Sequence, residues 1–295
     1  MIKTSRMECN VKAHVPLPFV CNARPRCSYC SSSDIRKKVG ERPLSPVEIA
    51  DWHSALLDLG RDIGPIHYVF VMGEPMADDG VVSICKSLSS ENKIEIVSNM
   101  ISPAKRYEIF EGNIRIAASY HPHLWNDPED FLSRVDAVVS TGADVYVIFI
   151  VATPNNFDEI VSYRDDFMNR GYPVSLIPFG GDVGGRSYPS QYPTSQWAVL
   201  KSDIEKNWET SKLVRGTDFP LRGSLCRAGM NYGWIGFDGT VWSCYTGPSS
   251  RNLGNIFQRN VKMSDVPLTC LSDTCPCVDM SYLLVGSKIP VGVLS

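Results

Sequence analysis

Of the ten cysteines in this chain, three stand close together near one end and five near the other. Cys21, Cys27 and Cys30 are spaced C-x5-C-x2-C and run into Ser31, Ser32 and Ser33. Three thiolates on one loop can ligate three irons of a cubane and leave the fourth iron open to a substrate or cofactor. A zinc loop is the alternative, and it would need a fourth Cys or His nearby, for which Cys9 is the local candidate. In the second group, Cys226 and Cys244 frame Gly239 in the pattern C-x12-G-x4-C. Asp238-Gly239 between apolar runs predicts a hairpin that returns two strands so that both thiolates converge. Two of Cys270, Cys275 and Cys277 would then complete a four-cysteine site, either a closed cluster or a structural zinc knuckle. Cys85 lies in the helical run Val81 to Leu88 and reads as a buried small hydrophobe.

Polar residues recur where apolar runs stop. His67 to Val71 is followed by Met72-Gly73-Glu74-Pro75, Ile94 to Val97 by Ser98-Asn99, and Ile114 to Ala118 by Ser119-Tyr120-His121. Further strand-like runs are Val145 to Val151 and Val174 to Ile177. Between them lie helical patterns at Pro128 to Ser140 and Asn156 to Asn169, with one more from Ser195 to Trp208. Ser45-Pro46-Val47-Glu48 has the form of an N-cap with an early Pro and an acidic first turn, and it predicts a helix to about Leu59 with Gly60 as its stop. Gly180 to Gly185 and Tyr188 to Tyr192 read as loop. Repeated βα units of this length imply a parallel sheet, in which ligands bind at the C-terminal strand ends.

Taken together, these residues resemble the radical S-adenosylmethionine (SAM) family. The first cysteine gap is two residues longer than the family's usual C-x3-C-x2-C, and Met72 replaces the first glycine of a Gly-Gly-Glu-Pro segment. The resemblance implies that Cys21, Cys27 and Cys30 hold a SAM-cleaving [4Fe–4S] cluster, with Tyr29 as the aromatic residue before the third cysteine. It implies that Gly73, Glu74 and Pro75 seat the methionine end of SAM, and that Ser98, Asn99, Ser119 and His121 are cofactor contacts. Cys226-Arg227-Ala228-Gly229 and Leu253-Gly254-Asn255-Ile256 resemble the SPASM or twitch domain, which implies a second [4Fe–4S] cluster on Cys226, Cys244 and two of Cys270, Cys275 and Cys277.

The fold expected is α/β: a partial (β/α)6-type parallel barrel over 16–210, after an N-terminal segment 1–15. A small β-hairpin/helix auxiliary-cluster domain would follow over 211–295. The resemblance implies cleavage of SAM to a 5′-deoxyadenosyl radical that takes hydrogen from a substrate. Only about 20 residues precede Cys21, too few for a leader-peptide-recognition domain, which favours a small polar substrate and oxidation of a carbinol. Epimerisation, C–C or thioether bond formation on a metabolite or ribosomal peptide, and a non-catalytic metal-binding scaffold are the other readings. A reductant such as flavodoxin or ferredoxin is the implied partner. The net charge of −3 and the lack of a basic run interleaved with aromatics argue against nucleic acid. No apolar stretch approaches the ~20 residues that cross a bilayer and no signal peptide is visible, so the expected location is cytoplasmic.

Overall fold

The computed structural model describes residues 9–17, 20–30, 40–108, 113–206, 222–245, 250–272 and 285. Six strands follow one another in chain order and in space: β1 (Val11–Val15), β2 (Ile66–Phe70), β3 (Lys93–Ser98), β4 (Ile114–Tyr120), β5 (Asp144–Ala152) and β6 (Val174–Pro178). All five pairings among them are parallel. Because the order never reverses, the sheet has no switch point of the doubly wound kind and its connections stay on one side, as in a barrel. Those connections include α1 (Pro46–Ile63), α2 (Asp79–Leu88), α3 (Pro128–Ser140) and α4 (Phe157–Asn169), and α5 (Thr194–Lys206) packs on β6.

Strand residues alternate between two faces. Ile66, Tyr68 and Phe70 join Ile94 and Ile96 in the main core, against Trp52, Leu56 and Leu59 of α1 and Ile84 and Leu88 of α2. Each such side chain, when fully buried, contributes about 1.5–3 kcal/mol. The opposite, concave face carries a smaller apolar cluster of Ala117, Val147 and Phe149, with Val97, Tyr146 and Ile177 against it. Towards the N-terminal strand ends this face turns charged. Glu95, fully buried, takes a hydrogen bond from Arg115 at 2.7 Å and from the Tyr146 hydroxyl at 2.8 Å, while the Arg115 guanidinium lies 4.2 Å above the Tyr146 ring.

The hairpin β7 (Gly181–Val183) and β8 (Arg186–Tyr188) falls in the stretch expected to be loop. Its turn is Gly184-Gly185, with φ of 57° and 75°, the left-handed pair that a tight hairpin demands. Beyond it, β9 (Leu225–Cys226) pairs with β13 (Leu268–Thr269), while β10 (Tyr232–Ile235), β11 (Thr240–Trp242) and β12 (Asn252–Asn255) join the large sheet. β10 lies parallel to β1, and β11 and β12 follow antiparallel, giving nine strands in one sheet. The sheet thus begins at Val11, within the stretch read as an N-terminal segment, and ends in residues read as the auxiliary domain.

α1 starts where its sequence says, with Ser45 capping and the reciprocal Glu48 bond both formed. It does not stop at Gly60 but runs to Ile63, and Gly64 ends it at φ 91°. Gly60 is there for close approach: a Cβ would sit 3.1 Å from the Asn92 side chain. Among the described residues no helix is long and apolar enough to cross a membrane.

Candidate functional site

The cysteine loop leaves β1 and is tied to itself. The Cys21 carbonyl accepts hydrogen bonds from Arg24 Nη1 at 3.0 Å and Arg26 Nη1 at 2.9 Å, and the Cys21 amide donates to Glu41 Oε1 at 3.1 Å. Arg26 also pairs with Glu41. The long gap between Cys21 and Cys27 therefore contains the two arginines that fasten it. Cys30 N donates to Cys27 O at 3.2 Å, closing the turn that brings the last two thiols round.

Cys21, Cys27 and Cys30 line one cavity of about 260 Å³ at the C-terminal ends of the parallel strands. Gly73 and Glu74 reach it from the end of β2, Ser98 and Asn99 from β3, and Ser119 and His121 from β4. Tyr29 lines it too, its hydroxyl 2.7 Å from His121 Nδ1. Burial, then His123, holds the His121 imidazole neutral, with its pKa near 4. Pro75 is buried at the start of a 3-10 turn, Pro75–Ala77, behind that wall. Val151, Ile177, Pro178 and Gly180 complete the lining from β5 and β6. The sequence motifs do not single them out, although their position at strand ends was the available signal.

Several polar residues of the wall face one another. The Glu74 carboxylate accepts from Asn99 N at 2.6 Å, Ser98 Oγ at 2.9 Å and Met76 N at 3.0 Å, and burial pushes its pKa up to about 7. Ser98 Oγ is also 2.8 Å from the Tyr107 hydroxyl. Asn99 Nδ2 donates to Asn22 Oδ1 at 2.9 Å, so the end of β3 is bonded to the residue beside Cys21. The Glu74 backbone is engaged as well, its amide donating to Val20 O and its carbonyl accepting from Ala77 N, each at 2.9 Å, while Gly73 beside it turns at φ 59°. Met72, standing where the family has glycine, adopts φ 75°, a left-handed conformation that costs a residue with a Cβ about 1–2 kcal/mol.

The donor set can be tested for an iron–sulfur cluster by its own electrostatics. Burial, Cys30 and Cys21, in that order, push the Cys27 thiol up to about 11. Three thiols that oppose one another's ionisation are suited to a multiply charged cationic centre, which stabilises all three thiolates. Among the described residues no three His, Cys, Asp or Glu side chains converge closely enough to hold a single metal ion.

At the other end of the chain the expected hairpin forms. Gly239 turns at φ 79°, its amide donates to Gly236 O at 3.0 Å, and Asp238 Oδ1 accepts from Thr240 N at 3.0 Å. Cys226 and Cys244, together with Trp234, pack against the same small buried pair, Ala228 and Tyr232. Cys270 follows β13, whose Leu268 is the register partner of Cys226, and its amide donates to Ser224 O at 2.8 Å. Cys275 and Cys277 lie outside the described residues.

A run of six parallel strands in chain order, with a cysteine loop after the first and polar strand ends around it, is the partial-barrel fold of radical SAM enzymes. Two solved structures share it: native anSMEcpe with bound AdoMet, and native anSMEcpe with bound AdoMet and Kp18Cys peptide. That protein is an anaerobic sulfatase-maturating enzyme of the radical SAM, SPASM-domain type. The TM-scores are 0.56 and 0.57, over 85% of this chain and 78% of the other, at 13% sequence identity. At that identity the likeness is one of fold. No protein-family model and no curated protein matches the sequence.

Proposed function

We propose that this protein is a radical SAM enzyme in which Cys21, Cys27 and Cys30 hold the SAM-cleaving [4Fe–4S] cluster. The observation that carries the reading is the shared cavity: the three thiols, the Gly73-Glu74 turn and the ends of β3 and β4 all open into it, on a fold shared with two solved structures that hold AdoMet. Bound there, cluster and SAM would supply reductive cleavage to methionine and a 5′-deoxyadenosyl radical. The chain's own part is positional. Gly73 presents backbone to the methionine end on a turn that Glu74 holds rigid through its own bonds, Asn99 steadies the cysteine loop through Asn22, and Tyr29, Ser119 and neutral His121 offer polar contacts to the rest of the cofactor. Apolar Val151 and Ile177 keep that wall dry.

The preferred reaction is oxidation of a small polar substrate at a carbinol carbon. The substrate loses a hydrogen atom to the adenosyl group, then a proton and a second electron. Cys226, Cys244 and two of Cys270, Cys275 and Cys277 would hold a closed [4Fe–4S] cluster that takes that electron, and flavodoxin or ferredoxin would supply the reducing electron for SAM. A peptide substrate is the second reading, favoured because a structure of the same fold holds the Kp18Cys peptide. Anaerobically reconstituted, dithionite-reduced protein is expected to release 5′-deoxyadenosine from SAM. Its failure to do so would favour a metal-binding scaffold without catalysis. Deuterium transfer into 5′-deoxyadenosine from labelled carbinols or labelled peptides separates the two substrate classes.

A further inference from the structure

A second cavity, of about 610 Å³, adjoins the cysteine cavity at the same end of the barrel. Tyr29 and Val151 line both, so the two spaces meet at those side chains. His123 reaches the second cavity from the turn after β4, Thr153 and Asn155 from the turn after β5, and Asp182 from β7. The volume is that of an ordinary small-molecule pocket.

Arg26 and Asp182 are the described lining residues with a standing charge, since burial lowers the His123 pKa and leaves that ring neutral near pH 7. The two charges differ in what already surrounds them. Arg26 Nη1 donates to Cys21 O at 2.9 Å and Nη2 pairs with Glu41, so its charge is answered by a carboxylate outside the lining. The Asp182 carboxylate has no hydrogen-bond or ion-pair partner among the described residues, and Arg186, across the hairpin, is in register with Val183 instead.

The hairpin fixes where that carboxylate stands. Gly181 packs so close to Phe179 that a Cβ would lie 3.3 Å from the ring, and the Phe179 amide is itself held by the Tyr192 hydroxyl at 2.7 Å. Ser187, the register partner of Asp182, accepts from Gln191 N at 3.0 Å. The rest of the lining is neutral: apolar at Val151, Ile160 and Phe179, polar at Thr153 and Asn155. A ligand that fills this space strips water from Asp182, and only a cation offsets that loss. An uncharged polyol of the same shape is therefore selected against.

We infer that this second cavity takes the substrate, and that the substrate carries an ammonium group held by Asp182, with its reacting carbon turned towards Tyr29 and Val151. The inference rests on the proposed reading of the neighbouring cavity as the SAM site, and it narrows the substrate to an amine, either a small amino alcohol or a lysine side chain of a peptide.

The test is calorimetric titration of anaerobically reconstituted protein at constant ionic strength, saturated with S-adenosylhomocysteine so that the neighbouring site is filled. The probes are trans-4-aminocyclohexanol, the amine-free trans-cyclohexane-1,4-diol, and N-acetyl-lysine N-methylamide. At least one amine is expected to bind about fivefold or more tightly than the diol, the scale of one partly desolvated ion pair. Whichever amine binds better assigns the small molecule or the peptide. Asp182→Asn should erase the preference, while Asp182→Glu and the control Asp51→Asn on α1 should keep it. Amines that bind no better than the diol, a preference that survives in Asp182→Asn, or one that vanishes equally in Asp182→Glu would each overturn the inference. Release of 5′-deoxyadenosine by the wild type reports on the radical reading separately: protein that releases it but shows no amine preference refutes this inference alone.

Discussion

Replacing Glu74 by Gln keeps the volume of a fully buried side chain and removes one acceptor oxygen. Glu74 Oε1 serves Met76 N and Ser98 Oγ, and Oε2 serves Asn99 N. A glutamine can keep the first pair, but its amide NH2 then faces the Asn99 N–H, leaving that buried donor unsatisfied at a cost of about 1–3 kcal/mol. The acid–base consequence is separate. The folded pKa, about 7, lies above the ordinary 4.5 because burial disfavours the charge. The folded state therefore binds the proton more readily, and this contribution to stability is complete below pH 4.5 and lost as pH rises through 7. From pH 8 to pH 5 the wild type should gain roughly 2–3 kcal/mol relative to Glu74→Gln, which has no proton to bind. Urea denaturation of both proteins at the two pH values measures the change in their stability difference, expected to move by roughly 2–3 kcal/mol in favour of the wild type from pH 8 to pH 5. A difference that is constant, or moves in favour of Glu74→Gln at pH 5, would mean that the three donors outweigh burial and Glu74 ionises as an ordinary carboxylate.

Gly254, at φ 119°, has no room for a side chain, since a Cβ would meet the Asn260 carbonyl oxygen at 2.5 Å. Gly254→Ala should cost about 2–4 kcal/mol in thermal or urea melting, and a variant as stable as wild type would show that the Asn255–Asn260 turn yields. If both cysteine sets hold cubanes, reconstituted protein should carry about eight irons and a Cys21→Ala/Cys27→Ala/Cys30→Ala variant roughly half; unchanged iron would remove the triad from the reading. Cys226→Ala/Cys244→Ala, once shown to be folded, should still release 5′-deoxyadenosine but form little product, and full product yield would favour a redox-neutral reaction such as epimerisation.

The parallel part of the sheet was legible because each of its elements declares itself locally. Pro128–Ser140 carries its own acidic first turn and cap, Ser45 and Glu48 form a reciprocal cap, and the apolar runs end in polar residues at the right edge. Gly60 misled, because a glycine that lets a helix pass Asn92 looks in sequence like one that ends it. The β7–β8 hairpin was hidden by its shortness, although Gly184-Gly185 marked its turn. The bond from Asn99 to Asn22 and the arginine clamps on Cys21 depend on which loops the sheet brings together, and no local pattern encodes that. Nor does composition reveal that Glu74 serves the protein's own amides.

The place of β1 bears on how the chain is assembled. Residues 11–15 are flanked on one side by β2 and on the other by residues 232–235, whose separation along the chain exceeds two hundred positions. Contacts of such range form slowly, because a long loop must close before they repay it. During synthesis β2 to β6 can follow β1 as each emerges, while the other edge of β1, directly before the cysteine loop, stays an open ladder of amides and carbonyls until the last quarter of the chain arrives. Chaperone dependence, proteolytic nicking and cross-chain strand pairing should therefore concentrate on that edge, and a fragment ended before residue 232 should show them most.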